Sequence, residues 1–191
     1  MDTKKNSLLI VDYANLRGFC LTVSTDVLYT YGMTSISKSK LTRVYADTSV
    51  FGGMFDEEFK TASKVLFDAI KKGSFKLITS ELVREEIQVG PQKVLDIFEE
   101  FLVIAEIAEI TESVLQLQQS YVQAGIVSEQ YATDAMHVAL ATVSNADLIV
   151  SWNFKHIVNF QKIPLYNAVN TLNRFAKIAI YSPLEVIESE D

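Results

Sequence analysis

The apolar and polar positions of the chain change period several times. Residues 44–46, Val-Tyr-Ala, form a short apolar run that meets Asp47, followed by Thr48, Ser49 and the pair Gly52 and Gly53. This pattern predicts a buried strand, an acid at its carboxyl end and a flexible glycine turn. From Asp56 the period becomes helical: Phe59, Ala62, Leu66, Ala69 and Ile70 recur one turn apart, with Gly73 as the stop. Residues 75–79 read as a second short strand, and a strand–helix–strand unit requires a parallel sheet.

Further along, Ser80 is placed to cap a helix that ends at Gly90 and Pro91. Residues 91–101 predict another helix with Val94, Leu95 and Phe98 inward, and residues 103–110 a connecting strand. Thr111 caps a helix that runs through Ala124 and closes at Gly125, its wet face carrying Gln116, Gln118, Gln119 and Gln123. The helix predicted over residues 128–141 is apolar nearly all round, which implies burial. Residues 147–151 predict a strand, Asn167 and Asn170 a polar turn, residues 178–181 a last strand and residues 183–187 a closing turn. Residues 1–40 are the least regular. Residues 8–11 suit a strand or a helix turn, residues 22–31 are rich in β-branched and aromatic side chains, and residues 34–40 resemble a linker. The expected division is an N-terminal extension over residues 1–40 and one α/β domain over residues 41–191.

Composition narrows the function classes. With 191 residues, 49% hydrophobic and 21% charged, the chain is globular in type and long enough for a real core. A net charge of -7 excludes non-specific nucleic-acid binding driven by a basic surface, but not a metal nuclease, whose site must itself be acidic. The single cysteine, Cys20, forbids an intrachain disulfide and suits a reducing cytoplasm. No apolar run reaches the ~18 residues of a membrane helix, and Asp12 and Arg17 break the N-terminal apolar segment, so neither a membrane span nor a signal peptide is expected.

Against this frame of elements, four residues stand out. Asp47, at a strand's carboxyl end, either points into a crevice or hydrogen-bonds its own backbone as a turn residue. Of Glu81, Glu85 and Glu86, the last shares a helix face with Leu82 and Val83, where an unpaired charge costs stability; the first two stack on the wet face. Asp134 falls in the middle of a buried helix and needs a metal, an arginine or hydrogen-bond donors. Asn153 leaves the carboxyl end of a strand and either offers its carbonyl oxygen to a cation or water, or caps a helix. His137 reads as a satisfied core histidine, and His156 reads equally as a site residue or as ordinary surface; two histidines and one cysteine argue against a zinc site.

Asp12-Tyr13-Ala14-Asn15, after an apolar run, resembles the opening of another nuclease group, but nothing downstream is spaced to answer it. A different resemblance spans residues 41–187. RVYADTSVFGG with Asp47 is similar to the first strand of a PIN domain, TSELVREEI with Glu86 to its second acidic motif, and SEQYATDAMHVALA with Asp134 to its third; DLIVSWNFKHIVN stands in place of its fourth. The ordered set is closest to VapC-like toxins of toxin–antitoxin pairs and related stand-alone PIN proteins. The resemblance implies a three-layer α/β/α sandwich around a parallel sheet. It also implies a Mg²⁺- or Mn²⁺-dependent endoribonuclease, cytoplasmic, usually homodimeric and often held inactive by a small antitoxin. The departure is Ser151-Trp152-Asn153, where many members carry an aspartate. The neutral amide lowers the charge of the site and puts a second metal ion in doubt.

The chemistry suits these residues without the family. Phosphodiester hydrolysis needs a nucleophilic water and charge relief on the phosphate; Mg²⁺ supplies both and prefers oxygen ligands. Asp47 and Asp134 are expected as principal metal ligands. Glu86 would hold a metal-bound water or a second ion, Asn153 would orient water or phosphate, and Thr48 and Ser49 would steady the site. The rivals are a catalytically weakened RNA-binding or assembly protein on the same fold, and an acidic metal-binding or phosphatase-like α/β domain.

Overall fold

The structure, a computed structural model, describes residues 40–187. The expectations for residues 8–11, 22–31 and 34–39, for Asp12 to Asn15 and for Cys20 lie outside the described residues.

The βαβ pattern at 42–80 is realised as β1 (Thr42–Ala46), α2 (Lys60–Lys71) and β2 (Phe75–Ser80), the strands parallel with Val44 opposite Leu77. Between β1 and α2, α1 (Thr48–Gly53) begins directly after Asp47. Gly52 and Gly53, expected in a turn, instead complete this helix. The reason for Gly53 is a close approach: a β-carbon there would stand 2.7 Å from both Ser63 Oγ and Trp152 Nε1. Gly73 closes α2 with φ of +81°, a backbone conformation that disfavours any residue with a β-carbon.

The chain continues through α3 (Glu81–Gln88), α4 (Gln92–Leu102), β3 (Glu106–Ala108), α5 (Glu112–Gln123) and α6 (Ala132–Val143). It ends with β4 (Leu148–Val150), α7 (Ile163–Leu172), β5 (Ala179–Tyr181) and α8 (Pro183–Ile187). The expected caps are present: Ser80 accepts from the Val83 N–H and Thr111 from the Val114 N–H. All paired strands are parallel, in the order β3-β2-β1-β4-β5, with helices on both faces, which is the expected α/β/α sandwich. The order reverses between β1 and β4, and in open parallel sheets that reversal opens a crevice at the strands' carboxyl ends.

The expected polar turn around Asn167 and Asn170 is the helix α7. Pro164 supplies a pre-set first turn, while Tyr166, Val169 and Asn170 are buried. The two asparagines are polar for tertiary reasons. Asn170 accepts from the Tyr121 hydroxyl and donates to Thr142 Oγ1, and Asn167 exchanges bonds with the Ile178 backbone. The predicted closing turn is likewise the short helix α8, and the strand predicted over residues 103–110 narrows to three residues.

Val44, Tyr45, Ala46, Ile78, Ile149 and Val150 form the buried centre of the sheet. Phe51, Phe67, Phe98 and Phe101 build an aromatic cluster with centroids 4.5 to 5.3 Å apart. Each such ring contributes roughly 1.5–3 kcal/mol by leaving water. At the opposite end of β1 from Asp47, Arg43 makes a two-pronged ion pair with Glu106 at 2.8 and 2.9 Å and donates to the Asn145 and Ser144 carbonyls. This pins β1 against β3 and the entry to β4.

Candidate active site

Asp47, Thr48, Ser49, Glu86, Val89, Asp134, His137 and Asn153 line one cavity of ≈ 380 Å³. They come from the ends of β1 and β4 and from α1, α3 and α6, so residues more than a hundred positions apart in the chain meet at the sheet's crevice.

Asp47 plays two parts. Its backbone is extended and its side chain caps α1, accepting from the Ser49 N–H at 3.1 Å and the Ser49 hydroxyl at 2.6 Å; the other oxygen accepts from Ser151 Oγ at 2.6 Å. The crevice position and the local hydrogen bond, alternatives on the sequence alone, coexist. The residue is 4% exposed. Burial pushes its pKa above the ordinary carboxylate value, against the opposing pull of His137 and of the Ser151 and Ser49 hydroxyls.

Glu86 faces the cavity while Glu81 and Glu85 are exposed, Glu81 pairing with Arg84 at 2.9 Å. Glu86 Oε2 accepts from the Thr48 hydroxyl and meets His137 Nε2 at 3.0 Å. Burial pushes its pKa up, but the hydrogen bond and charge of His137 and the Thr48 hydroxyl outweigh burial, and the net shift is downward. His137 Nδ1 lies 3.0 Å from the Tyr45 hydroxyl, which in turn lies 2.9 Å from Ser80 Oγ. A buried chain thus runs Ser80–Tyr45–His137–Glu86–Thr48. The chain is continuous in hydrogen-bond contacts, with the Tyr45 hydroxyl bridging Ser80 Oγ and Nδ1, and Nε2 facing the carboxylate. His137 is satisfied and buried as expected of a core histidine, and it also holds a candidate site residue. The sequence signal was available: His137 falls three residues after Asp134, on the same helical face.

Asp134 is not in the middle of its helix. A 3₁₀ turn at Glu129–Tyr131 precedes α6, which starts at Ala132, so Asp134 lies in the first turn and is partly exposed. The reason is local: Ser128 and Glu129 start only the short turn, and the α-helical ladder begins after it. A carboxylate in a first turn also gains from the free N–H groups there. Burial still raises its pKa, opposed by the charges of His156 and His137 and reinforced by Glu86. Asn153 donates to Asp134 Oδ1 at 2.8 Å while its carbonyl oxygen accepts from the His156 N–H at 3.0 Å. It is therefore both a cap and a member of the cavity. Thr48, Ser49 and Ser151 supply hydroxyl bonds to the acids, and Ser151 also receives the Asn153 N–H at 2.8 Å. Ser151, Tyr45 and Ser80 were not singled out from the sequence as site residues, because a serine or tyrosine inside an apolar strand looks the same whether or not it supports an acid.

Among the described residues no three His, Cys, Asp or Glu side chains form a ready-made metal cage. The donor set nevertheless suits a hard cation that keeps part of its water shell. The lining offers carboxylate and hydroxyl oxygens and no lysine or arginine, and two of its three carboxyl groups are disfavoured as anions by burial.

No protein-family model and no curated protein matches the chain. Several solved structures are similar to it, and two of them are toxin–antitoxin assemblies. One is the crystal structure of VapBC2 from Rickettsia felis bound to a DNA fragment from the promoter, at 15% identity over 73% of this chain and 98% of the other, with a TM-score of 0.49. The second is FitAcB from Neisseria gonorrhoeae, at 12% identity over 74% of this chain and 98% of the other, with a TM-score of 0.47.

Proposed function

We propose that this chain is a divalent-metal-dependent endoribonuclease that hydrolyses RNA phosphodiester bonds. The observation that carries the reading is the meeting of Asp47, Glu86 and Asp134, from three separate elements, in one cavity at the sheet's crevice. Asp47 and Asp134 would be the principal ligands of Mg²⁺ or Mn²⁺, with Glu86 holding a bound water or a second ion. When bound, the metal supplies an activated water and charge relief on the phosphate. Ser49 and Ser151 fix the Asp47 carboxylate, His137 and Thr48 fix that of Glu86, and Asn153 fixes that of Asp134. Ordered acceptors of this kind cost little reorganisation as charge develops.

In this reading residues 41–191 are the nuclease domain and residues 1–40 an extension. The homodimer, the small antitoxin partner, the toxin role and the cytoplasmic setting rest on the resemblance of the motifs. No helix among the described residues is long and apolar enough to cross a membrane.

One observation favours a second reading, an RNA-binding or assembly protein with weakened catalysis. The fourth position is a neutral amide whose oxygen is already engaged with the His156 N–H. Incubation of the purified chain with single-stranded RNA, with Mn²⁺ or with chelator, separates the two. Mn²⁺-dependent cleavage lost in Glu86→Gln supports the nuclease; binding without cleavage supports the weakened protein.

A further inference from the structure

Beside the acidic cavity lies a cluster of opposite character. Lys155 Nζ donates to the Tyr131 hydroxyl at 3.1 Å and sits 4.6 Å from that ring's centroid. Tyr131 stacks on His156, with centroids 4.0 Å apart and planes at 29°. Lys162 Nζ stands 3.1 Å from His156 Nδ1. Burial, then the charge of Lys162, holds the His156 pKa below its ordinary value, so the neutral imidazole accepts from Lys162. Among the described residues neither ammonium has a carboxylate within the 4.0 Å of an ion pair. Phe154 is 50% exposed and borders Lys155 in the chain.

The cluster is tied to the site by short links. Tyr131 immediately precedes α6, whose first turn carries Asp134. Asn153 bonds Asp134 with its nitrogen and the His156 N–H with its oxygen.

A chain of net charge -7 with an acidic cavity repels a polyanion unless local cations guide it. Resting on the nuclease reading, we propose that Lys155, Lys162 and Phe154 form the subsite that holds the single-stranded RNA flanking the scissile phosphate. The ammoniums take backbone phosphates, and each has donors to spare after its bond to Tyr131 or His156. Phe154 offers a face to an unpaired base. Tyr131 and His156 keep the lysines in place and are spent on that task, since the ring of Tyr131 is occupied by His156 and by Lys155.

The test is fluorescence anisotropy of a labelled single-stranded RNA on the full chain in chelator across a salt series, with Mn²⁺-dependent cleavage measured in parallel. The double variant Lys155→Ala/Lys162→Ala is compared with Lys64→Ala/Lys72→Ala, which removes the same charge from exposed positions on α2 and just after it. The expected result is at least tenfold weaker binding at low salt in the first. Its slope of log K against log[salt] should also be shallower by about 0.7 for each phosphate that is no longer neutralised. The Lys64/Lys72 control should retain wild-type affinity and slope. Phe154→Ala should bind about tenfold more weakly with the slope unchanged. If the wild type cleaves RNA but the two double variants bind alike, the subsite is wrong and the nuclease reading stands. If the wild type neither binds nor cleaves, both fall together.

Discussion

The side-chain nitrogen of Asn153 sits 2.8 Å from Asp134 Oδ1, and its carbonyl oxygen sits 3.0 Å from the His156 nitrogen. One neutral residue therefore orients an acid of the cavity and caps the turn that leads to Lys155 and Lys162. Replacing it with aspartate removes a donor and sets a second negative charge beside Asp134. The expected outcome is a less stable metal-free protein with tighter Mn²⁺ binding. Asn153→Ala should lower cleavage by about 10–100-fold, the usual cost of removing a partner that orients a ligand. Calorimetric Mn²⁺ titration and thermal melts in chelator check both. Equal Mn²⁺ affinity in wild type and Asn153→Asp, with cleavage unchanged in Asn153→Ala, would leave the residue a cap alone.

Asp47 should cost the metal-free fold stability. Its pKa in the folded chain lies above the unfolded value. Its favourable contribution is therefore complete below the unfolded pKa and is lost as pH rises through the folded one. Above that window the ionised, buried group opposes folding. Asp47→Asn should then melt higher than wild type in chelator, by roughly 2–4 °C for each ~1 kcal/mol recovered in a domain of this size. The gap should close in acid, where the wild-type carboxyl is protonated. Mn²⁺ should raise the midpoint of the wild type and not of the variant. A variant that melts lower at neutral pH would mean that the Ser49 and Ser151 hydroxyls hold the anion at no net cost.

Glu86 and Glu85 are neighbours with opposite surroundings. Glu86→Gln should reduce RNA cleavage by at least about 10–100-fold, because it disrupts the bonds to His137 and Thr48 and removes a charge from the cavity. Glu85→Gln should stay close to wild type, since the side chain is exposed. Gel assays at matched protein and Mn²⁺ concentrations distinguish them, and the opposite ranking would sink the assignment.

Gly53→Ala tests how closely α1 must approach the segment after β4. The added methyl group would meet Trp152 Nε1 and Ser63 Oγ, both at 2.7 Å, where Trp152 donates to Ser63 at 2.9 Å. Overpacking of this kind costs about 1–3 kcal/mol. Trp152 is the chain's one tryptophan, so its fluorescence reports the displacement directly. An unchanged emission maximum and melting midpoint would show that the indole yields freely.

The parallel sheet and the face of α3 that carries Glu86 were legible because their signals are local. An apolar run ending at Asp47, a serine before a helix, and a glutamate in register with Leu82 and Val83 each follow from one element's period. What escaped depends on distant partners. Asn167 and Asn170 looked like turn residues because their bonds to Ile178, Tyr121 and Thr142 are invisible in the α7 segment. Asp134 looked central because residues 128–131 share the composition of a helix, yet fold as a separate turn. The hydrogen-bonded chain from Ser80 through Tyr45 to His137 crosses three elements, and no spacing rule connects them.

The order of the strands fixes when the cavity can exist at all. Asp47 and Glu86 leave the ribosome early, but Asp134 follows much later, and β4, which brings Ser151 and Asn153 beside β1, later still. Parallel pairing across so many residues forms slowly and late. A growing chain, or one truncated before residue 134, carries two of the acids without the elements that complete their cavity. The cavity cannot close until the chain has been made through Asn153, more than a hundred residues after Asp47.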